Sequence, residues 1–460
     1  MTEKIGIIGG GIAGVGAAWA LHRAGYEVDI FEKGPALGGN AKTFRWKTED
    51  GHADSPLLVV AWPQMYYHNY QLLLRELGVG ITTLPIQYFV QTPDGHFCQD
   101  GQTAIARRFS SEFRRWKRLV AFVGKINGFF LSLSKHKHDS LYHFSYFNPL
   151  NVIPLYWLAR LFGISRAFWS TVFVPVHCAS FITTSMKTVP SVLLPALESI
   201  VPLEHPTRMG TWVGAPKQVF DRMTESFGDS VHTEHEITSV RRDGGRFVIT
   251  DKIGRSYEAD KVVFACDAPS VLDALESPSR LQRALLGRSQ YVDDVDPTFS
   301  KFVVHSDTSI FPEKHRERIL SEFNTYSEID DAGALECTFV ISAQNPNTKD
   351  VGLPMLVTFN SRKSIDKVQK RVDLPHPTHT LSLRNLIIMS MIRYLQGKNG
   401  MYYCGTFTTP EGGHDLSFMS GLVAAHAIGA PYPFDADNAE AVADFHLMQR
   451  MMLTRADRSS

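Results

Sequence analysis

The stretch KIGIIGGGIAG, residues 4–14, opens the chain and leads into a helix-forming run and a second apolar run that ends on Glu32. The first residues of this stretch predict a short buried strand, and the run after it predicts a helix. Gly9, Gly11 and Gly14 form the pattern G-x-G-x-x-G in the turn between them. Strand, glycine turn, helix, strand and acid in this order predict a βαβ unit that binds a dinucleotide.

Each glycine of the turn has its own role in such a unit. Gly9 permits the tight turn, Gly11 lets the backbone approach a pyrophosphate, and Gly14 lets the helix pack closely on the strand. The free N–H groups and the positive dipole end of the helix, at Ile12 and Ala13, would then hold the phosphates. Glycine-rich turns also occur as plain structure, but the complete order of elements favours a binding site.

The residues that follow Glu32 indicate the kind of dinucleotide. The Glu32 carboxylate can accept hydrogen bonds from both hydroxyls of a ribose, which disfavours a 2′-phosphate. Lys33 begins a five-residue spacer that leads to Gly38 and Gly39, and these glycines let a second loop lie over the diphosphate. Domains that bind only NAD lack this second loop.

The spacing of the acid, the Gly-Gly pair and Thr43 resembles the extended FAD motif of the flavin-containing amine oxidase and phytoene desaturase superfamily. The resemblance implies FAD as the cofactor and an α/β architecture. In that architecture a Rossmann-type FAD-binding domain of the glutathione-reductase-like, monoamine oxidase fold is interleaved with an α+β substrate domain. Many members have Arg or His directly after the glycines, whereas this chain has Asn40, which the resemblance places at the cofactor.

Two further stretches extend the resemblance toward the flavin ring and the adenine. Relatives usually have an acid, Thr, Gly and an aromatic residue after the first FAD block, and this chain has Asp54, Ser55 and Pro56. The resemblance implies that Asp54 and Ser55 lie at the cofactor, although Pro56 replaces the glycine beside the ring. The strand around Val240 corresponds to one that lies beside the adenine in relatives, which implies a backbone contact there.

A second glycine-containing segment predicts a strand at residues 402–405, a loop, and a helix over about residues 416–428. In flavoproteins of this class the strand ends at the ribityl chain, and the next helix points its N-terminus at the pyrimidine end of the flavin. The helix dipole there stabilises the negative charge of the reduced flavin. The resemblance therefore implies cofactor contacts at Gly405, Thr406, His414, Asp415 and Leu416.

His414 is the candidate catalytic side chain. Histidine changes its charge nearest to neutral pH, so His414 could donate a proton or contact the substrate. It could equally be a loop histidine that caps the following helix. Asp415 is expected to cap that helix rather than to act as a base.

Composition limits the partners and the location. Lys+Arg and Asp+Glu number 47 each, so no global field favours a nucleic acid or an anionic membrane. The five cysteines are scattered and lack C-x-x-C, which predicts a reducing, cytoplasmic location. His136, His138 and His143 lack the spacing of a metal site, so no metal is expected. The apolar run 167–186 predicts a buried or membrane-apposed segment, and peripheral membrane contact and oligomeric state stay open.

The motifs divide the chain into consecutive segments of one interleaved fold. Residues 1–109, 205–290 and 397–432 are expected to form the FAD-binding domain, and the last of these is its flavin end. The other segments are residues 110–204, a helical substrate cap, residues 291–396, the substrate domain, and residues 433–460, a C-terminal helical tail.

The resemblance implies an FAD-dependent oxidoreductase, and the aromatic character of residues 110–204 favours an apolar substrate, an unsaturated fatty-acyl or polyene chain. Hydride would leave a carbon beside a double bond for flavin N5. If the flavin keeps the hydride the result is desaturation, and if it returns the hydride to another carbon the result is double-bond isomerisation. Two alternatives stay open, an FAD-dependent amine oxidase and a flavin-binding scaffold without turnover. The scaffold is favoured by Asn40, Pro56 and Thr406, because these residues depart from the pattern of relatives at the cofactor.

Overall fold

A computed structural model describes residues 2–99, 101–133, 148–299, 301–343, 345–372, 378–410, 412–435 and 437–455. His136, His138 and His143, which the sequence does not predict to bind a metal, lie outside these described residues. Strands and helices alternate along much of the described chain, in a mixed α/β arrangement.

The strands expected around residues 4–8, 237–242 and 302–305 are confirmed. In chain order the strands are β1 (Lys4–Ile8), β2 (Glu27–Glu32), β3 (Thr43–Thr48), β4 (Gly51–Pro56), β5 (Ile81–Ile86), β6 (Tyr88–Thr92), β7 (Gly95–Cys98), β8 (Thr207–Trp212), β9 (Val231–Thr233), β10 (Ile237–Asp243), β11 (Arg246–Asp251), β12 (Ser256–Ala259), β13 (Lys261–Phe264), β14 (Phe302–His305), β15 (Thr325–Ile329), β16 (Leu335–Val340), β17 (Leu356–Phe359), β18 (Val368–Val372) and β19 (Met401–Tyr403).

The helix that follows the glycine turn is confirmed and begins at Ile12. In chain order the helices are α1 (Ile12–Arg23), α2 (His68–Glu76), α3 (Ala104–Arg108), α4 (Ser110–Ser132), α5 (Leu155–Leu161), α6 (Arg166–Phe168), α7 (Val174–Phe181), α8 (Leu194–Ile200), α9 (Lys217–Thr224), α10 (Ala268–Ala274), α11 (Arg280–Leu286), α12 (Val292–Val295), α13 (Arg316–Glu322), α14 (Leu383–Ile392), α15 (His414–Ile428) and α16 (Ala439–Met452).

A parallel sheet of five strands carries the glycine turn at one end. Its order is β19-β13-β1-β2-β9, so its strands come from three well-separated parts of the chain. β1 lies in the middle with a partner on each side, and Ile5, Ile7 and Ile8 are accordingly buried. Since α1 connects β1 to the neighbouring β2, the predicted βαβ unit is present.

A second sheet has seven strands in the order β18-β14-β17-β16-β15-β6-β7. Its neighbours are antiparallel except for β15 and β6, which run parallel. One face packs into the same large core as α1 and α15, while the other face covers a smaller core around Phe89 and Tyr326. The apolar residues of the first face, called the inner face below, are Tyr88, Val90, Phe97, Phe302, Val304, Leu335, Cys337, Phe339, Val357 and Phe359.

The edge of this sheet differs from the expected division of the chain. Residues 88–98 fall within the segment 1–109 expected in the FAD-binding domain, but they form β6 and β7 of the seven-stranded sheet. Phe89 of β6 pairs with Tyr326 of β15, which lies far away in the sequence. Apolar alternation predicts a strand but not its partner, and for this reason the sequence could not assign these strands to a sheet. The other expected bounds stay predictions.

The described residues between 110 and 204 are mainly helical. A single π-helical turn, Trp169–Phe173, joins α6 to α7, so most of the apolar run 167–186 is one irregular helix. Cys178 of α7 is buried, and its Sγ lies 3.6 Å from the Oγ of Ser327 on β15. Helix α7 therefore packs on the seven-stranded sheet. Within the described ranges, no helix is both long and apolar enough to cross a bilayer.

Helices α15 and α1 cross at very close range. A Cβ on Gly421 would lie 2.1 Å from the carbonyl oxygen of Ala13, so only glycine fits at this crossing. Gly16 makes the reciprocal approach, since a Cβ there would lie 2.8 Å from the ring of Phe418. This packing sets the N-terminus of α15 relative to the glycine turn, and it brings the two glycine-containing segments of the sequence together.

Replacement of Gly421 by alanine should push the two helices apart. We expect Gly421→Ala to lower the free energy of unfolding by roughly 1–3 kcal/mol, because the Ala13 oxygen leaves no room for a methyl group. The control is Gly124→Ala in α4, where the added carbon has no neighbour within 4 Å, and it should be neutral or stabilising by up to about 1 kcal/mol. Urea denaturation measures both, and equal stabilities would contradict the close crossing.

Candidate functional site

The turn between β1 and α1 requires glycine at two of its three motif positions for reasons of packing. Gly9 has φ +115°, and a Cβ there would lie 2.7 Å from the carbonyl oxygen of Ala265. A Cβ on Gly14 would lie 2.0 Å from the carbonyl oxygen of Gly9, so the helix could not approach the turn. The fold itself therefore accounts for Gly9 and Gly14.

Gly11 differs because the protein does not fill the space beside it. A Cβ there would meet only the Cα of Gly39, at an ordinary contact distance of 3.8 Å. Gly11 is the N-cap of α1 and has no side chain to accept from the first N–H groups of the helix. Those N–H groups, around Ile12 and Ala13, have no intrahelical partner. Open space in front of such donors suits a phosphate group.

The second glycine loop closes over this turn. The N–H of Gly38 donates to the carbonyl oxygen of Gly10 at 2.9 Å. Gly39 has φ +57°, and a Cβ there would lie 3.1 Å from the Cα of Gly11. Asn40 follows directly and is half-buried. The two loops thus lie against each other at the end of β1.

Glu32 ends β2 beside the glycine turn. Its Oε2 accepts from the Gly10 N–H at 2.8 Å, and its Oε1 accepts from the Gly34 N–H at 2.7 Å. Each carboxylate oxygen has a second lone pair, so these bonds orient the group and leave acceptor capacity for ribose hydroxyls. Lys33, which follows, is exposed.

The C-terminal glycine segment meets the start of α15. Gly405, directly after the short loop that ends β19, has φ +106°, and its N–H donates to Ser420 Oγ of α15 at 2.8 Å. Thr406 then opens a short 3₁₀ turn, and its methyl group lies 3.8 Å from the position of a Cβ on Gly412. The end of β19, the 3₁₀ turn at Thr406 and the first turns of α15 therefore lie next to one another.

His414 is the first residue of α15, so this helix begins two residues earlier than the sequence predicted. Its N–H donates to the Tyr67 hydroxyl at 3.0 Å, and its ring packs edge-on against Tyr70 with centroids 4.7 Å apart. The cap is Gly413, so His414 does not cap the helix. Burial lowers the pKa of His414 to about 3, which keeps the imidazole neutral at pH 7.

The Nε2 atom of His414 is buried and has no hydrogen-bond partner among the described residues. Buried polar atoms are nearly always paired, so an unpaired one marks a place where a bound molecule can complete the hydrogen bonding. His414 thus fits a contact to cofactor or substrate made by a neutral ring. A positively charged proton donor does not fit this burial.

Asp415 does not cap α15, contrary to the prediction from sequence. Its carboxylate turns to α2, where Oδ1 accepts from the Tyr70 N–H at 2.6 Å. Burial raises the pKa of Asp415 to about 8 against the opposing effect of that hydrogen bond, and the nearby charge of Asp444 raises it further. The carboxyl is therefore mostly protonated at pH 7, and any contact to a cofactor would come from the backbone of Asp415.

A charged pair behind Asp415 was not foreseen from the sequence. His68 Nδ1 lies 2.8 Å from Asp444 Oδ2, and His68 Nε2 lies 3.2 Å from the exposed Glu440. The hydrogen bond to Asp444 raises the pKa of His68, and burial opposes it. The available signal was the i, i+4 spacing of two acids on α16, but nothing in the sequence identified α2 as their partner.

Asp54 and Ser55 make contacts within the protein. Asp54 accepts from Arg45 Nε at 2.8 Å and from Arg45 Nη2 at 2.9 Å across the β3–β4 hairpin, and this bond lowers the pKa of Asp54. Ser55 is buried and accepts from Trp46 Nε1 at 2.8 Å. The structure thus uses both side chains to hold the hairpin together, and their roles at the cofactor stay predictions.

Thr43, Val240 and Leu416 also have partners in the fold. Thr43 Oγ1 accepts from the N–H of Lys217 at the start of α9, at 2.9 Å. The Val240 carbonyl accepts from the N–H of Glu276 at 3.3 Å, which occupies one of its two lone pairs. Leu416 is buried in the large core. These contacts leave the predicted cofactor roles of the three residues as predictions.

Over most of its length the chain matches a known family. The family described as flavin containing amine oxidoreductase matches residues 12–370. The chain belongs to this family. It is accordingly a flavoprotein, an FAD-dependent oxidoreductase, as the extended motif after Glu32 predicted.

A curated relative of this flavoprotein matches a short stretch only. A 4,4'-diaponeurosporene oxygenase of Staphylococcus aureus is 30% identical over 97 residues, which is 21% of this chain and 19% of the relative. The match thus spans about a fifth of the length of that curated relative. A match of this length does not assign the activity of the whole relative to this chain.

Solved structures confirm the predicted fold over most of the chain. A putrescine oxidase variant aligns with a TM-score of 0.63 at 15% identity, covering 93% of this chain and 99% of the other. A CLA-producing fatty acid isomerase from P. acnes aligns with a TM-score of 0.61 at 14% identity, covering 93% and 98%. At these identities the likeness shows the fold of the flavoprotein and does not extend to its substrate.

The site fits the FAD that the family implies. The unfilled space beside Gly11 suits the diphosphate, and Glu32 retains acceptors for the ribose. At the other end, the N-terminus of α15 and the unpaired Nε2 of His414 suit the flavin. When bound, the flavin supplies a hydride acceptor, and the side chains of this protein supply position, dryness and electrostatics.

Gly11 offers a test that separates cofactor binding from folding. Gly11→Ala should leave the stability of the FAD-free protein within about 0.5 kcal/mol, because the structure has room for the methyl group. It should weaken FAD binding by about tenfold or more, since the methyl group stands between the backbone and the diphosphate. Flavin fluorescence titration measures the affinity, with Gly124→Ala as the control. Unchanged FAD affinity would contradict the assignment.

The protonated Asp415 should make stability fall as pH rises. Its folded pKa of about 8 lies above that of a free carboxyl, so the unfolded chain releases a proton that the folded state keeps, from about pH 4 to pH 8. Asp415→Asn keeps an acceptor for the Tyr70 N–H and removes this titration. The stability of Asp415→Asn relative to wild type should rise by roughly 2–4 kcal/mol from pH 5 to pH 9. Urea denaturation at both pH values measures it, and a pH-independent difference would refute the protonated state.

Proposed function

We propose that this FAD-dependent oxidoreductase acts on an apolar substrate, an unsaturated fatty-acyl or polyene chain. The observation that carries the proposal is the inner face of the seven-stranded sheet, which is turned toward the core shared with α15. Its apolar residues share the face with Thr325 and Ser327 of β15, which pair with Phe339 and Cys337, and with Lys370 of the edge strand β18, which pairs with Val304. No Asp or Glu of these strands lies on this face. A long hydrocarbon chain gains free energy from burial against such a surface, whereas an ammonium group would find no carboxylate there.

The electrostatics at the start of α15 support the same substrate class. His414 is neutral because burial lowers its pKa, and Asp415 is mostly protonated because burial raises its pKa. Neither residue therefore offers a fixed negative charge to a cationic substrate at pH 7. The neutral His414 ring could still orient a substrate or the cofactor through Nε2.

The named activities of similar proteins include both classes. The curated relative is named as an oxygenase of 4,4'-diaponeurosporene, and one of the structural neighbours is named as a fatty acid isomerase. Another neighbour is a putrescine oxidase, which supports the amine alternative. The likeness in fold therefore permits either class, and the apolar inner face without carboxylates supports the lipid class.

A matched set of substrates tests the proposal. The FAD-loaded protein is mixed with oleate, oleyl alcohol, oleylamine and the saturated stearate, which share one chain length and differ in head group or double bond. The mixtures are followed anaerobically for flavin reduction and then in air, where oxygen reoxidises the flavin and allows turnover. We expect reaction of oleate and none of stearate, with kcat/KM for oleate in air at least about tenfold above that for oleylamine, because the inner face offers no carboxylate to an ammonium group. Flavin absorbance and mass spectrometry of the products follow the reaction.

Analysis of the products distinguishes desaturation from double-bond isomerisation, between which the sequence does not decide. Loss of two hydrogens from oleate indicates desaturation, and an unchanged mass with a moved double bond indicates isomerisation. Turnover of amines alone, with release of hydrogen peroxide, would overturn the proposal in favour of an amine oxidase. FAD binding without reaction on any lipid or amine would favour the scaffold.

A further inference from the structure

Large exposed apolar side chains are concentrated on the helices between residues 110 and 204. Trp157 is 62% exposed and Leu161 is 82% exposed, although both are large hydrophobic residues. The other six tryptophans of the chain are buried, which sets Trp157 apart. Contiguous exposed apolar surface marks an interaction site. The residues concerned, called the docking face below, are Phe122, Phe129, Leu133, Val152, Trp157 and Leu161.

These residues belong to one surface because two segments run side by side. Asn148, just before Val152, donates through Nδ2 to Asn127 Oδ1 of α4 at 2.8 Å. At the other end, Arg115 Nη1 of α4 donates to the carbonyl oxygen of Gly163 at 2.9 Å. α5 lies between these two contacts in sequence, and Phe162, directly after α5, packs against Phe122 of α4 with ring centroids 5.2 Å apart. The exposed apolar residues of α5 therefore lie beside those of α4.

This region has an excess of positively charged residues, whereas the rest of the chain has an excess of negatively charged ones. Residues 110–203 contain ten Lys and Arg against three Asp and Glu, although the whole chain has equal numbers of each. Two of the three acids are turned inward, since Glu112 accepts from the Ser165 N–H at 2.7 Å and Glu198 accepts from Trp116 Nε1 at 2.8 Å. The exposed basic residues of α4, α5 and α6 include Arg114, Arg118, Lys125, Arg160 and Arg166.

We propose that the docking face binds an anionic lipid bilayer. Exposed Trp, Phe and Leu side chains flanked by Lys and Arg are the pattern of helices that lie in the plane of a membrane interface. The apolar side chains would enter the region between head groups and acyl chains, and the basic residues would contact anionic head groups. The excess of positive charge around these apolar side chains complements anionic head groups, and this charge complementarity favours a lipid surface.

The proposal goes beyond the proposed function and does not depend on it. A bilayer can serve as a docking surface whether or not its lipids are substrates. The test therefore uses vesicles of diphytanoyl lipids, whose chains have no double bonds. A failure of lipid turnover and a failure of membrane binding are then separate results.

The first experiment measures co-sedimentation of the FAD-loaded protein with vesicles. We expect binding to an equal mixture of phosphatidylglycerol and phosphatidylcholine, at least about tenfold weaker binding to phosphatidylcholine alone, and release at high salt. Leu161→Glu should weaken binding by about tenfold or more, because it places a charge within the docking face. The matched control is Ile253→Glu, which alters another exposed apolar residue, between β11 and β12, and should bind like wild type.

Trp157 provides a second, independent measurement. Because the other tryptophans are buried, brominated lipids should quench mainly the fluorescence of Trp157. Trp157→Phe keeps the apolar surface and should retain binding while it removes most of the quenching. Circular dichroism and FAD content identify any variant that has not folded, so loss of binding in a folded Leu161→Glu protein is informative.

Each outcome decides the proposal. Binding to anionic vesicles with selective quenching of Trp157 supports it. Equal binding to neutral vesicles, equal loss in Ile253→Glu, or no vesicle binding by wild type would overturn it. A dimer in solution that Leu161→Glu disrupts, without vesicle binding, would instead assign the docking face to self-association and would also overturn it.

Discussion

The crossing of α15 over α1 is the constraint on which the rest of the site depends. Gly421 approaches the Ala13 carbonyl so closely that no side chain fits between the two helices. Each helix has its N-terminus near one end of the site, α1 beside Gly11 and α15 at His414. A single packed contact therefore sets the distance between two positive dipole ends, which suits a cofactor with a phosphate group at one end and a flavin at the other.

Burial also determines the charge of the side chains at the start of α15. His414 and Asp415 are adjacent titratable residues. Desolvation lowers the pKa of His414 and raises the pKa of Asp415, and both shifts favour the neutral form of the side chain. Behind them, His68 Nδ1 lies 2.8 Å from Asp444 Oδ2, and this hydrogen bond raises the pKa of His68. The start of α15 therefore presents two neutral side chains at pH 7.

The parts of the site that the sequence predicted are those governed by local backbone geometry. Gly9 and Gly14 could be identified because a turn from strand to helix forces their conformation whatever the rest of the chain does. The fold class followed from the order of such local elements. The direction of the Asp415 side chain could not be predicted, because it depends on the Tyr70 N–H of a helix that is distant in the sequence. The sheet to which β6 and β7 belong could not be predicted for the same reason, since the partner strand β15 is also distant in the sequence.

The interleaved order of the five-stranded sheet has a consequence for biosynthesis. β1 and α1 leave the ribosome well before β13, β19 and α15, which cover them. Until then the nascent chain exposes the apolar side of α1 and the unpaired edge of β1, which are features that attract chaperones and promote aggregation. The cofactor site is completed only when α15 emerges, so FAD cannot be fully held before that point.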